Sequence, residues 1–150
     1  MHRDGKANDD GNDAITTIVA REALVVACAV SAGIHAALTP EHLREEPAAG
    51  IVFLVSSVVL AALVVALTLR PAGRVVVVAA GAVLAGLLVA YAFAVTTGVP
   101  VLHPDAEPAD GLGLATKAVE LVGLLAAVRL ASPARSAGRL TRLQPKGTTR

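Results

Sequence analysis

The chain is poor in aromatic, charged and sulfur-containing residues, and each shortage argues against particular classes of binding site or protein. Aromatic residues make up 2% of its 150 residues, which argues against a haem pocket and against a stacking surface for nucleic acid. Charged residues make up 17%, below the quarter that is typical of globular chains. The single cysteine, Cys28, excludes an intrachain disulfide and a catalytic cysteine pair. A composition that is 55% hydrophobic is therefore not that of one soluble domain.

The apolar residues form runs that are long enough to cross a bilayer. Residues 50–69 and 75–97 contain no charged side chain, and about 20 apolar residues in a helix cover the hydrocarbon core. Two further runs, about 14–38 and 112–131, are apolar apart from a few ionisable residues. The pattern predicts an all-α protein, a four-helix up-and-down transmembrane bundle in which sequential helices are antiparallel neighbours.

The segments outside these runs predict the rest of the domain organisation. We expect an N-terminal tail at 1–13, a transmembrane domain at 14–131 and a basic C-terminal tail at 132–150. The first helix is expected to begin near Asn12 or Asp13 and to end before Pro40, because proline rarely continues a helix. Thr39 would then cap a short separate helix that begins at Pro40.

Basic residues near the predicted spans indicate the orientation. The turn at 70–74 has two arginines, and residues 129–150 hold six basic residues and no acidic one. The segment 39–50 has only Arg44, and the loop 98–111 has no basic side chain except a histidine. The positive-inside rule therefore predicts a multi-pass protein of the plasma (inner) membrane with both termini cytoplasmic. The partner that this implies is the lipid bilayer, and nucleic acid is not expected.

Ionisable residues gather at the predicted extracytoplasmic side, and these are the candidate site residues. Histidine is the usual ligand for zinc or copper and also titrates near neutral pH, so three histidines could bind a divalent metal or exchange protons. Glu120 and Lys117 lie three residues apart on one face of the last helix, where they can pair. The candidate metal ligands are His35, His42, His103 and Glu120, and the supporting residues are Glu41, Glu46 and Lys117.

Small residues recur at four-residue spacing in the third span, with Gly81 before Ala85 and Gly86 before Ala90. Such pairs let membrane helices approach closely. These small residues could pack against another helix inside the bundle, or they could contact a second copy of the chain or another membrane protein.

Several short motifs lie along the middle of the chain: Gly33-Ile34-His35, Pro40-Glu41-His42-Leu43, Glu46-Pro47, Thr97-Gly98-Val99-Pro100, Pro108, Gly111 and Lys117-Ala118-Val119-Glu120. In these motifs the chain resembles a group of small, uncharacterised bacterial four-helix integral membrane proteins. The resemblance covers about residues 33–125 and implies no activity, but it implies that the histidines and the Lys–Glu pair belong to one recurring arrangement.

Three functions follow as hypotheses. The first is a non-enzymatic membrane protein whose His/carboxylate site binds a divalent metal, zinc or copper, or exchanges protons. The second is a structural or assembly subunit without a ligand, sensitive to changes at Gly81 and Gly86. The third is a small oligomeric proton-coupled transporter that uses Glu120. No residue pattern predicts catalysis, although a metal with an open coordination position would allow it.

Overall fold

Four long helices account for most of the residues that the structure describes. The computed structural model describes residues 4–69, 73–99, 106 and 108–132, with side chains described from residue 11 onward. The helices are α1 (Asp4–Glu45), α2 (Pro47–Leu69), α3 (Arg74–Thr96) and α4 (Gly111–Ala131). They run alternately up and down, so we name one end of the bundle, where α1 ends and α4 begins, the Glu45 end. The predicted all-α four-helix bundle is confirmed.

Helix α1 is longer than the sequence pattern predicted at both ends. Asn12 and Asp13 do not cap it, because their carbonyls accept hydrogen bonds from Thr16 and Thr17 inside the helix. The expected break before Pro40 is also wrong, since α1 continues through Pro40 to Glu45. The hydroxyl of Thr39 does not cap a new helix but donates to the carbonyl of His35 at 2.7 Å. Proline removes only one backbone donor, and the surrounding turns keep the helix continuous.

The helices pack in the order α2, α1, α4, α3. Helix α1 packs extensively against α2 and α4, and α4 packs against α3, whereas α2 and α3 touch only slightly. The expectation that all sequential helices are close neighbours therefore fails for this one pair. The fully buried apolar side chains of the core include Leu24, Leu60, Leu67 and Leu84.

The closest helix approaches depend on small residues. A Cβ atom added to Gly123 of α4 would lie 2.5 Å from the Cβ of Ala27 in α1, so only glycine fits there. A Cβ atom added to Gly81 of α3 would lie 3.1 Å from the Cβ of Ala127 in α4. Gly86 is exposed, and a Cβ atom there would meet nothing within 4 Å. Gly81, the first residue of the first small-residue pair, therefore makes a contact inside the bundle, whereas Gly86 of the second pair does not.

Large apolar side chains also cover the outside of the bundle. Val58, Leu69, Val75 and Leu125 are each at least 60% exposed, and many similar residues surround them. An apolar surface this extensive is typical of lipid-facing helices and not of a monomeric soluble protein. All four helices are long and apolar enough to cross a membrane. The fold defines a multi-pass membrane protein.

Candidate functional site

The candidate site is centred on a carboxylate that is completely buried between helices. Glu120 of α4 has no exposed side-chain surface. It is the tenth of the 21 residues of α4, so it lies near the middle of a helix that is long and apolar enough to cross a membrane. An ionisable group near the middle of a spanning helix needs partners, because a charge there costs several kcal/mol.

Both oxygens of Glu120 have a partner. The ammonium of Lys117, one turn earlier in α4, donates to Oε2 at 2.6 Å. The hydroxyl of Ser31 in α1 donates to Oε1 at 2.7 Å. The predicted Lys117–Glu120 pair is thus present, and Ser31 ties it to a second helix. The carboxylate therefore holds α4 to α1 at the depth of the site.

His35 lies next to this pair on α1. It is buried, and its Nδ1 atom lies 2.8 Å from the carbonyl oxygen of Ser31 and 3.4 Å from the hydroxyl of Ser31. Because a carbonyl oxygen only accepts, Nδ1 carries the proton, and Nε2 is the acceptor in the neutral ring. A histidine held in this way is oriented with Nε2 as the atom that can bind a metal or a proton.

His42 has the same local geometry but lies two turns nearer the Glu45 end. Its Nδ1 atom lies 3.0 Å from the carbonyl oxygen of Leu38, which again assigns the proton to Nδ1. The imidazole of His42 stacks on the ring of Phe53 in α2, with centroids 4.1 Å apart. His35 contacts the same ring at 5.1 Å. Phe53 is therefore the aromatic contact that the two histidines share.

The remaining predicted site residues are distributed differently. Glu41 is exposed, and Glu46 is half-buried at the junction of α1 and α2. His103 lies outside the residues that the structure describes. Within the described ranges, no three His, Cys, Asp or Glu residues come together in a group that could hold a metal ion. The metal site stays a prediction, since one of its three histidines is outside these ranges.

A tyrosine of α3 completes the surroundings of Lys117. The ammonium of Lys117 lies over the ring of Tyr91, 5.5 Å from its centroid, within the range of a cation–π contact. The Tyr91 ring packs against the backbone of α4 at Gly113, where an added Cβ atom would lie 3.0 Å from the hydroxyl oxygen. That hydroxyl oxygen is buried and has no hydrogen-bond partner among the described residues. Lys117 thus lies between an aromatic ring and a carboxylate.

Sequence reasoning missed Ser31, Phe53 and Tyr91. Ser31 is four residues before His35, so its place on the same face of α1 could have been noticed. Tyr91 is the only tyrosine of a chain that has no tryptophan, a rarity that also could have marked it. Phe53 has no comparable signal, because an apolar ring in an apolar span is unremarkable.

Comparisons of the chain with models of protein families, with curated proteins and with solved structures find no match. The fold and the site geometry therefore carry the functional argument alone. They define a multi-pass membrane protein with a buried polar cluster formed by Ser31, His35, Tyr91, Lys117 and Glu120, which we call the Glu120 cluster.

Proposed function

We propose that the protein exchanges protons at the Glu120 cluster, with Glu120 as the titrating group and Lys117 as its movable counter-charge. The observation that carries the proposal is the complete burial of Glu120 between one charged and one neutral hydrogen-bond donor. A buried carboxylate inside a membrane helix is a functional candidate, because hydrophobic packing would stabilise the bundle without the cost of burying a charge.

Movement of the Lys117 side chain would open a path by which a proton reaches Glu120. Its side chain is 15% exposed, whereas Glu120 is not exposed at all. A flexible lysine can withdraw toward the polar boundary of the membrane, as snorkelling lysines do. Protonation of Glu120 removes its attraction for the ammonium, so proton binding and release of Lys117 are linked events.

The cluster also supports a conformational consequence of protonation. Ser31 donates to Glu120 from α1, while Lys117 contacts Tyr91 of α3. A change at Glu120 therefore acts on contacts with both neighbouring helices. His35, beside Ser31, is a second group that can take up a proton at the same place.

Infrared difference spectroscopy of the reconstituted protein tests the proposal. A protonated carboxyl group has a carbonyl-stretch band that a carboxylate lacks. The chain has twelve Asp and Glu residues, and the bands of the other eleven should be common to wild type and Glu120→Gln. We expect wild type to show one additional band as the pH falls, which is missing in Glu120→Gln. Glu41→Gln is the matched control, because Glu41 is exposed, and it should keep the band.

One result would refute this proposal, and another would extend it. If wild type and Glu120→Gln give identical difference spectra over the whole range in which the protein is folded, Glu120 does not titrate. The Lys117–Glu120 pair is then an ion pair that stabilises helix packing, which is compatible with the assembly-subunit hypothesis. If the band titrates, proton flux into liposomes that is lost in Glu120→Gln would extend the proposal to the transporter hypothesis.

A divalent metal is the second candidate ligand. The supporting observation is that His35 and His42 both direct Nδ1 at a backbone carbonyl, which leaves Nε2 as the metal-binding atom. Elemental analysis of purified wild type beside a His35→Ala/His42→Ala variant tests it. Stoichiometric zinc or copper in wild type alone supports a metal site, and no metal in either protein after loading refutes it.

A further inference from the structure

We propose that the ligand of the Glu120 cluster is a primary ammonium group that replaces the Nζ atom of Lys117. The inference rests on the proposed function, because it names the class of ligand that would be exchanged against the proton. The cluster already binds one ammonium group, supplied by the chain itself. What holds that group is the carboxylate of Glu120 at 2.6 Å and the ring of Tyr91 at 5.5 Å.

Charge balance favours a monovalent ligand. Glu120 contributes one negative charge and Lys117 one positive charge, and their contacts within the described part of the chain include Ser31, Tyr91 and, next to Ser31, an imidazole whose Nδ1 proton is bound to a carbonyl. Exchange of one ammonium for another leaves the buried cluster neutral. A divalent cation beside Lys117 would leave an uncompensated charge, which is costly at this depth.

The hydrogen-bond geometry favours a primary over a quaternary ammonium. A distance of 2.6 Å between nitrogen and carboxylate oxygen is that of a charge-assisted N–H···O bond, which a quaternary nitrogen cannot make. The ligand class is therefore a small alkylammonium or the ethanolamine head group of a lipid, both of which present the same –NH₃⁺ group.

The chain contains a built-in reporter for this exchange. Tyr91 is its only tyrosine, and there is no tryptophan, so near-ultraviolet emission arises at the cluster. We would titrate ethylammonium chloride, against sodium chloride at equal ionic strength, into protein in phosphatidylcholine vesicles. Saturable change of the Tyr91 emission is expected in wild type and not in Glu120→Gln, while tetramethylammonium should leave the emission unchanged.

Removal of the competing lysine sharpens the test. A tethered ammonium competes at an effective concentration in the millimolar range or above. Lys117→Met should therefore bind ethylammonium about tenfold more tightly than wild type, and Lys117→Met/Glu120→Gln should not bind it. If Lys117→Met does not fold, the comparison of wild type with Glu120→Gln still decides the matter.

A second arm distinguishes the two sources of the ligand. Vesicles that contain phosphatidylethanolamine, without added amine, should change the emission only if the lipid head group reaches the cluster. No response in either arm, or an equal response in wild type and Glu120→Gln, overturns the ammonium proposal. If the infrared band of Glu120 titrates without any amine response, only the ammonium proposal fails, and if both are missing, both fail.

Discussion

Replacing Gly123 by alanine tests the closest approach in the bundle and its link to the site. The new Cβ atom would lie 2.5 Å from the Cβ of Ala27 and 2.9 Å from a terminal methyl carbon of Leu84. Carbon atoms prefer about 3.5–4.0 Å, so α1 and α4 must separate by about 1 Å, because Ala27 has no side-chain torsion with which to move away.

The magnitude follows from three contributions. Overpacking of this kind costs about 1–3 kcal/mol, and the better helix propensity of alanine offsets about 1 kcal/mol. Ser31 lies one turn from Ala27, and Glu120 lies one turn from Gly123, so the separation also stretches the 2.7 Å bond between them. Loss of a hydrogen bond to a charged group adds about 1.5–3 kcal/mol. The expected net loss is about 1.5–5 kcal/mol.

The assay is reversible unfolding in mixed micelles, followed by helical circular dichroism. Gly86→Ala is the matched control, since an added Cβ atom meets nothing within 4 Å there, and it should be neutral or slightly stabilising. Ala27→Gly combined with Gly123→Ala should recover part of the loss by returning space to the interface. Equal stability of Gly123→Ala and Gly86→Ala would refute the close approach of α1 and α4.

Three further substitutions, two of them with a control variant, test neighbouring contacts. Ser31→Ala should destabilise the fold by about 1.5–3 kcal/mol in the same unfolding assay, because Glu120 loses its donor from α1, and a loss below 0.5 kcal/mol would contradict that role. Tyr91→Leu should change the ¹⁵N chemical shift of the Lys117 ammonium, because the aromatic ring beneath it is removed. Tyr91→Phe keeps the ring and should leave that chemical shift close to its wild-type value. Gly81→Leu should lower the melting temperature, whereas Gly86→Leu should not, and equal effects would argue that Gly86 also packs closely.

Much of the fold could be predicted from the sequence because it depends on the length and composition of local segments. Runs such as 50–69 and 75–97 can satisfy their backbone only as helices in a membrane. Pro40 shows the limit of this reasoning, because one missing donor near the end of α1 does not stop a helix whose neighbouring turns remain bonded. The slight contact between α2 and α3 could not be predicted from the sequence either, since the order in which helices pack depends on how well their surfaces fit together.

The site divides in the same way. The pairing of Lys117 with Glu120 could be predicted, because three residues along a helix bring side chains onto one face whatever surrounds them. The sequence by itself thus determined four apolar spans and one charged pair. Only the tertiary structure decided that Ser31, 89 residues away, donates to Glu120 and that Tyr91 covers Lys117. The reason is that Gly123 and Gly113 let neighbouring elements come close enough for these contacts, and such fits between distant segments leave no mark in local composition.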